Sequence, residues 1–118
     1  MTEERQVRIE DVQAAELPEF DPTPYIGKQA MIDTVEIKDG NFGKYVEFKA
    51  LVDARGYHGE PLYATRIIGL QEMDGKIVWG TRSKMQRFLE AHKVKHPSEM
   101  KGKMVVVTKK EDTTYLSF

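Results

Sequence analysis

The sequence predicts a mainly β domain: a small five-stranded barrel with one helix and a short extra hairpin arm. Three observations carry this reading. A long alternating stretch folds about Asp39-Gly40-Asn41-Phe42-Gly43, a second Asp-Gly pair stands at Asp74-Gly75, and one segment from Ser83 has helical periodicity. At 118 residues the chain has room for one core and not for two.

The elements follow in order. Residues 1–24 read as an acidic, proline-containing arm. Ile9, Val12 and Leu17 give it a short amphipathic turn, and Pro18, Pro22 and Pro24 then stop any regular element. The arm either docks Leu17 and Phe20 on the barrel or stays mobile. Next come two strands with Ile32, Val35 and Ile37 on one side of the turn and Val46, Phe48, Ala50 and Val52 on the other. Apolar residues at alternate positions put one strand face in a core and leave the other in water.

A loop containing Gly56, Gly59 and Pro61 leads to a third strand over residues 62–70, rich in β-formers such as Tyr63, Thr65, Ile67 and Ile68. The Asp74-Gly75 turn joins it to a short strand at residues 77–80, giving a second hairpin. The helix begins near Ser83, where Ser83 and Gln86 fit a capping box. Met85, Phe88, Leu89 and His92 then form one stripe at helical spacing, and Pro97 ends the element. Residues 103–110 and 113–118 form a last hairpin around Glu111-Asp112.

The net charge of −1 hides an uneven distribution. Residues 1–24 carry seven acidic against two basic side chains, whereas residues 76–110 carry ten basic against two acidic. An acidic arm beside a basic body points to an anionic partner for the body, and a solvated lysine-rich surface is the plain alternative. With no cysteine there is no disulfide framework, thiolate metal site or catalytic thiol, which fits a reducing cytoplasm. No apolar run approaches the ~18 residues of a membrane helix, so no membrane partner is expected.

Strand, strand, strand with an extra hairpin, helix, strand, strand is the order of an OB-fold Greek-key barrel. Residues 25–118, which are 94 of the 118, resemble an OB-fold domain and are similar to small single-stranded DNA-binding proteins of archaea, bacteria and their viruses. The resemblance lies in element order and loop placement. It implies a ligand face on strands 2 and 3, flanked by the loop between strands 1 and 2 and the loop between strands 4 and 5. Those loops bring Phe42 with Lys38 and Lys44, and Lys109 with Lys110. Family members carry acidic tails at the C-terminus; here the acidic segment is N-terminal, and it either recruits partner proteins or folds back to compete for the basic surface.

Single-stranded nucleic acid needs cations for its phosphates and flat rings for its bases. Phe42, Tyr45 and Tyr63 supply rings, and Lys44, Lys49, Arg66, Lys109 and Lys110 supply charge. Phe42 sits at a turn tip, a poor place to bury a ring. Tyr45 and Tyr63 are equally suited to cross-strand packing. The face of strand 3 is open: either Tyr63, Thr65 and Ile67 point outward, or Ala64, Arg66 and Ile68 do. Trp79 is a further candidate, although a lone tryptophan in a β domain is more often core. Arg55, Tyr57 and His58 lie on a glycine-bearing loop placed to close over a bound strand.

Other motifs do not hold up. Gly40-Asn41-Phe42-Gly43 matches a GxxG loop, but its flanks read as strands rather than helices. Gly43-Lys44 lacks the lead and the hydroxyl residue of a P-loop. His92 and His96 have the spacing of a metal pair, without a third ligand. The expectation is a non-enzymatic binder of single-stranded DNA or RNA with no cofactor or metal; the alternative is an OB-fold protein–protein adaptor or viral assembly component.

Overall fold

A computed structural model of the chain describes residues 8–14, 20–56, 58–111 and 113–118. Its centre is a ribbon of β1 (Gln29–Gly40) and β2 (Gly43–Arg55), joined through Asn41 and Phe42. Gly43 closes that turn at φ +115°, a conformation suited to glycine. β3 (Pro61–Gly69) pairs with β2 on one side. On the other side β1 pairs with a short strand, which we number β6 (Met104–Val106). The result is a curled antiparallel sheet ordered β3-β2-β1-β6.

Between β3 and β6 lie the hairpin β4 (Gln71–Met73) and β5 (Lys76–Val78), then α1 (Lys84–Ala91). The hairpin turns at Asp74 and Gly75, both at positive φ, 53° and 74°. Paired positive values are what a two-residue turn needs to follow the twist of its strands. A last hairpin joins β7 (Thr108–Lys109) to β8 (Leu116–Ser117). Asp112, in the turn expected there, lies outside the described residues. The described residues are thus mainly β with one α-helix, as the sequence predicts.

The inward face of the ribbon is apolar because its residues alternate, with one interruption. Ile32 and Val35 are three positions apart, which in a regular strand would put them on opposite faces. A register shift between Ile32 and Thr34 absorbs the extra residue and returns Val35 to the face of Ile32. Ile32, Val46, Phe48, Ala50, Val52, Ala64 and Ile68 are all buried. Against them α1 presents Met85, Phe88 and Leu89, and Phe88 packs its ring 4.8 Å from that of Phe48.

Three local expectations differ from the structure. Ser83 caps α1 by accepting from the Gln86 N–H at 3.3 Å, but Gln86 does not reach back. Its amide instead accepts from the Trp79 indole N–H and donates to Glu90. The helix also ends at Ala91, before Pro97, with Lys93 at φ +57°. Residues 103–110, expected as one strand, divide at Val107. Val107 is fully buried and exchanges backbone bonds with Gly27 and Lys28, so β6 stays on β1 while β7 leaves to pair with β8. Ser117 then donates to the Thr65 carbonyl at 2.8 Å, tying that last hairpin to β3.

At the N-terminal side Phe20 stacks on the buried Tyr25 at 5.7 Å, while Ile9 and Val12 are exposed. Leu17, Pro18 and residues 1–7 of the arm lie outside the described residues. Phe48→Ala is expected to lower stability by about 3–5 kcal/mol in urea melts, and Ser83→Ala by about 1 kcal/mol. A Phe48→Ala loss below about 1 kcal/mol would show that the sheet–helix core does not depend on this ring.

Candidate functional site

The sheet leaves its outer face to solvent, and its register decides what stands there. Four rows cross the strands. Met104, Met31, Leu51 and Tyr63 form the first, and Thr34, Lys49 and Thr65 the second. Glu36, Glu47 and Ile67 follow, then Lys38, Tyr45 and Gly69. The face of β3 is thereby settled: Tyr63 and Ile67 are exposed and Thr65 half-buried, while Ala64 and Ile68 are buried. Lys49 Nζ lies 4.3 Å above the Tyr63 ring, a cation held over an aromatic face. The Tyr45 ring covers Gly40, where an added Cβ would come within 3.0 Å of it.

Arg66 has the opposite parity to Tyr63, but it lies near the sheet edge and remains exposed. Its guanidinium donates to the Phe118 carbonyl at 2.8 Å and sits 5.6 Å over the Phe88 ring. There it joins Lys109 and Lys110 in an open cleft of about 290 Å³ between β3 and the β7–β8 hairpin. Thr65 and Ile67 line both this cleft and the outer face, so the two surfaces are continuous. None of Lys49, Lys109 and Lys110 is paired with a carboxylate among the described residues, where the side-chain ion pairs are Lys38–Glu47 and Lys44–Asp39.

The ribbon tip is a separate region. Phe42 is fully exposed, and together with Lys44, Met73 and Ile77 it lines a cleft of about 590 Å³ between the tip and the β4–β5 hairpin. Lys44 is held across the turn by Asp39, whose hydrogen bond and charge raise its pKa above the ordinary lysine value. Lys38 meets Glu47 at 3.0 Å and is raised in the same way. Both lysines therefore stay charged well above neutral pH, but each is already partly neutralised by its neighbour.

Trp79 stands on the other side of the ribbon. It is half-buried, donates from its indole N–H to Gln86 Oε1 at 3.0 Å, and meets the His96 ring edge-on at 5.4 Å. It lines a mainly apolar recess of about 260 Å³ with Val35, Val46 and Leu70, which belong to the inward side. His96 precedes a short 3-10 turn rather than continuing α1, so the helical spacing with His92 is not formed. Among the described residues no cluster of three metal-ligating side chains exists. In the loop before β3, Glu60 accepts from the His58 N–H at 2.8 Å. Backbone N–H bonds, first its own and then that of His58, lower its pKa. Tyr57 lies outside the described residues.

The structure thus brings Tyr45, Lys49 and Tyr63 onto one face and Arg66, Lys109 and Lys110 into the adjoining cleft. It leaves Phe42 with Lys44 at the tip and Trp79 behind. Sequence reasoning missed Met31 and Met104 as neighbours of that face. Their position follows from β1 pairing with β6, which strand patterns alone do not specify. No described helix is long and apolar enough to cross a membrane.

Removing the tip carboxylate with Asp39→Asn is expected to bring the Lys44 pKa down toward the ordinary lysine value, read by NMR titration of its ε-methylene protons. The stabilisation from this pair is present below the unfolded lysine pKa and fades as pH rises through the folded one. An unchanged Lys44 pKa would show that Asp39 does not hold the lysine in solution.

No protein-family model, no curated protein and no solved structure matches the chain.

Proposed function

We propose that the chain binds single-stranded nucleic acid, preferentially DNA, with little sequence readout, on the outer face of an OB-type barrel. The observation that carries this is one continuous surface: Tyr63 and Lys49 lead across Thr65 into the cleft of Arg66, Lys109 and Lys110. A strand laid along it would set phosphates among cations of which Lys49, Lys109 and Lys110 lack a carboxylate partner among the described residues. Bases would stack on Tyr63 and Tyr45, each stack contributing about 1–3 kcal/mol. To expose the Tyr63 ring, Lys49 swings off it toward a phosphate, exchanging one electrostatic partner for another. Phe42 and Lys44 at the ribbon tip would extend the path, while Trp79 supports the fold behind it.

The OB-type assignment is supported by the curled antiparallel sheet and by a helix placed after the third long strand and an extra hairpin. Function does not follow from such a fold alone, because it hosts many kinds of ligand. A protein–protein adaptor is the second reading, and the exposed apolar row Met104–Met31–Leu51–Tyr63 favours it.

Titration with oligo-dT, followed by Trp79 and tyrosine fluorescence at two salt concentrations, separates these readings. Saturable binding that weakens with salt is expected, with a logarithmic slope of about 0.7 per phosphate neutralised. Tyr63→Ala should weaken binding by about 1–3 kcal/mol, and Phe42→Ala should weaken it without affecting the fold. Lys109→Ala and Lys110→Ala should each flatten the salt dependence. No saturable binding at low salt would exclude nucleic acid as the ligand.

A further inference from the structure

We infer that this chain pairs with a second copy of itself through the outer face of its sheet, across a two-fold axis running along the row Met104–Met31–Leu51–Tyr63. A solvated sheet face is ordinarily polar, yet these four side chains remain 52%, 47%, 39% and 38% exposed in one line across all four strands. Val106 widens the strip beside Met104 at 57% exposed. A contiguous apolar strip of this kind marks an interaction surface.

The charges on β2 identify the occupant. Its outward positions read Glu47, Lys49, Leu51, Asp53, Arg55, and each is exposed or half-buried, while between them Phe48, Ala50 and Val52 are buried and Ala54 is half-buried. About Leu51 the pattern is antisymmetric: negative, positive, apolar, negative, positive. A two-fold axis across the strands at Leu51 reverses β2 over its copy. Lys49 of each chain then faces Asp53 of the other, and Glu47 faces Arg55. The alternative two-fold, along the strands, sets Lys49 over Lys49 and Asp53 over Asp53. The sequence of charges is therefore complementary to itself in one orientation and repulsive in the other.

The geometry permits the pairing. Lys49 and Asp53 stand about 7 Å from the axis, and Glu47 and Arg55 about 14 Å. Face-packed sheets cross at about 30°, displacing these partners sideways by about 3.5 and 7 Å, within reach of long side chains. Glu47 meets Lys38 through Oε1, which leaves Oε2 for Arg55 of the second copy. Three strands about 27 Å long and the short β6 of about 10 Å, spaced about 4.8 Å apart, give a footprint of about 430 Å² per copy. The total of about 850 Å² falls in the range of weak, transient interfaces, so the dimer is weak and depends on concentration.

This inference goes beyond nucleic-acid binding and is tested without nucleic acid, so its outcome is independent of the oligo-dT titration. Sedimentation equilibrium of the full chain over a range of protein concentrations is expected to show a reversible monomer–dimer equilibrium. Lys49→Asp or Asp53→Lys places two pairs of like charges across the axis and should weaken pairing about tenfold or more. The double variant, Lys49→Asp with Asp53→Lys, restores complementarity and should recover the wild-type constant to within about threefold. Circular dichroism melts confirm that each variant folds; where a reversal unfolds the sheet, Leu51→Thr at the axis replaces it and should also weaken pairing. A wild-type chain that stays monomeric, single variants that pair as well as wild type, or a double variant that fails to recover would each overturn the proposal.

Discussion

The contact on which the structure depends is the closure of the curled sheet onto α1, made by Phe48 and Phe88 with Met85 and Leu89 around them. A sheet with one apolar face has no stable form until another layer covers that face. Here an eight-residue helix supplies much of the cover, and it is too short to be stable in water on its own. Sheet and helix therefore stabilise each other: the inward parity of β2 holds α1, and α1 fixes which face of β2 stays in water. The outward register of Tyr45, Lys49 and Leu51 follows from that choice, since a slip of one residue would exchange the two faces.

The ribbon, the Asp-Gly hairpin and the helix were legible because each rests on local chemistry: alternation, positive-φ turn residues and a hydroxyl cap. The bulge near Asp33 was present in the sequence as the three-residue step from Ile32 to Val35, a spacing that regular alternation does not produce. Less local features were hidden. Val107 reads as one more β-former in a run of valines, yet its burial and its bonds to Gly27 and Lys28 divide the segment between two sheets. Gln86 fits a capping box, but the indole of Trp79 and the carboxylate of Glu90 offered it better placed partners.

The candidate site was legible in part for the same reason. Tyr45 and Lys49 share a face with Glu47 and Leu51 by parity alone. Tyr63 joins them only because β3 pairs with β2 in the register Leu51–Tyr63, and β3 carries apolar residues at both parities, so its pattern could not choose. Arg66 shows the limit of parity arguments. It starts on the inward side, yet at the sheet edge its long side chain reaches the exposed cleft of Lys109 and Lys110.

The two uses proposed for the outer face differ in what holds them. A nucleic-acid strand would engage Lys49, Arg66, Lys109 and Lys110, and every phosphate contact adds to the loss of affinity with salt. A second copy would rest on the apolar row, which salt does not weaken, with Lys49 and Asp53 setting orientation more than strength. Lys49 and Tyr63 belong to both, so one occupant excludes the other. Salt then acts as a selector: low ionic strength favours the strand, and raising it weakens the strand's hold faster than that of the second copy. A face that mixes an apolar row with flanking charges can serve both uses because charge and apolar area respond to different conditions.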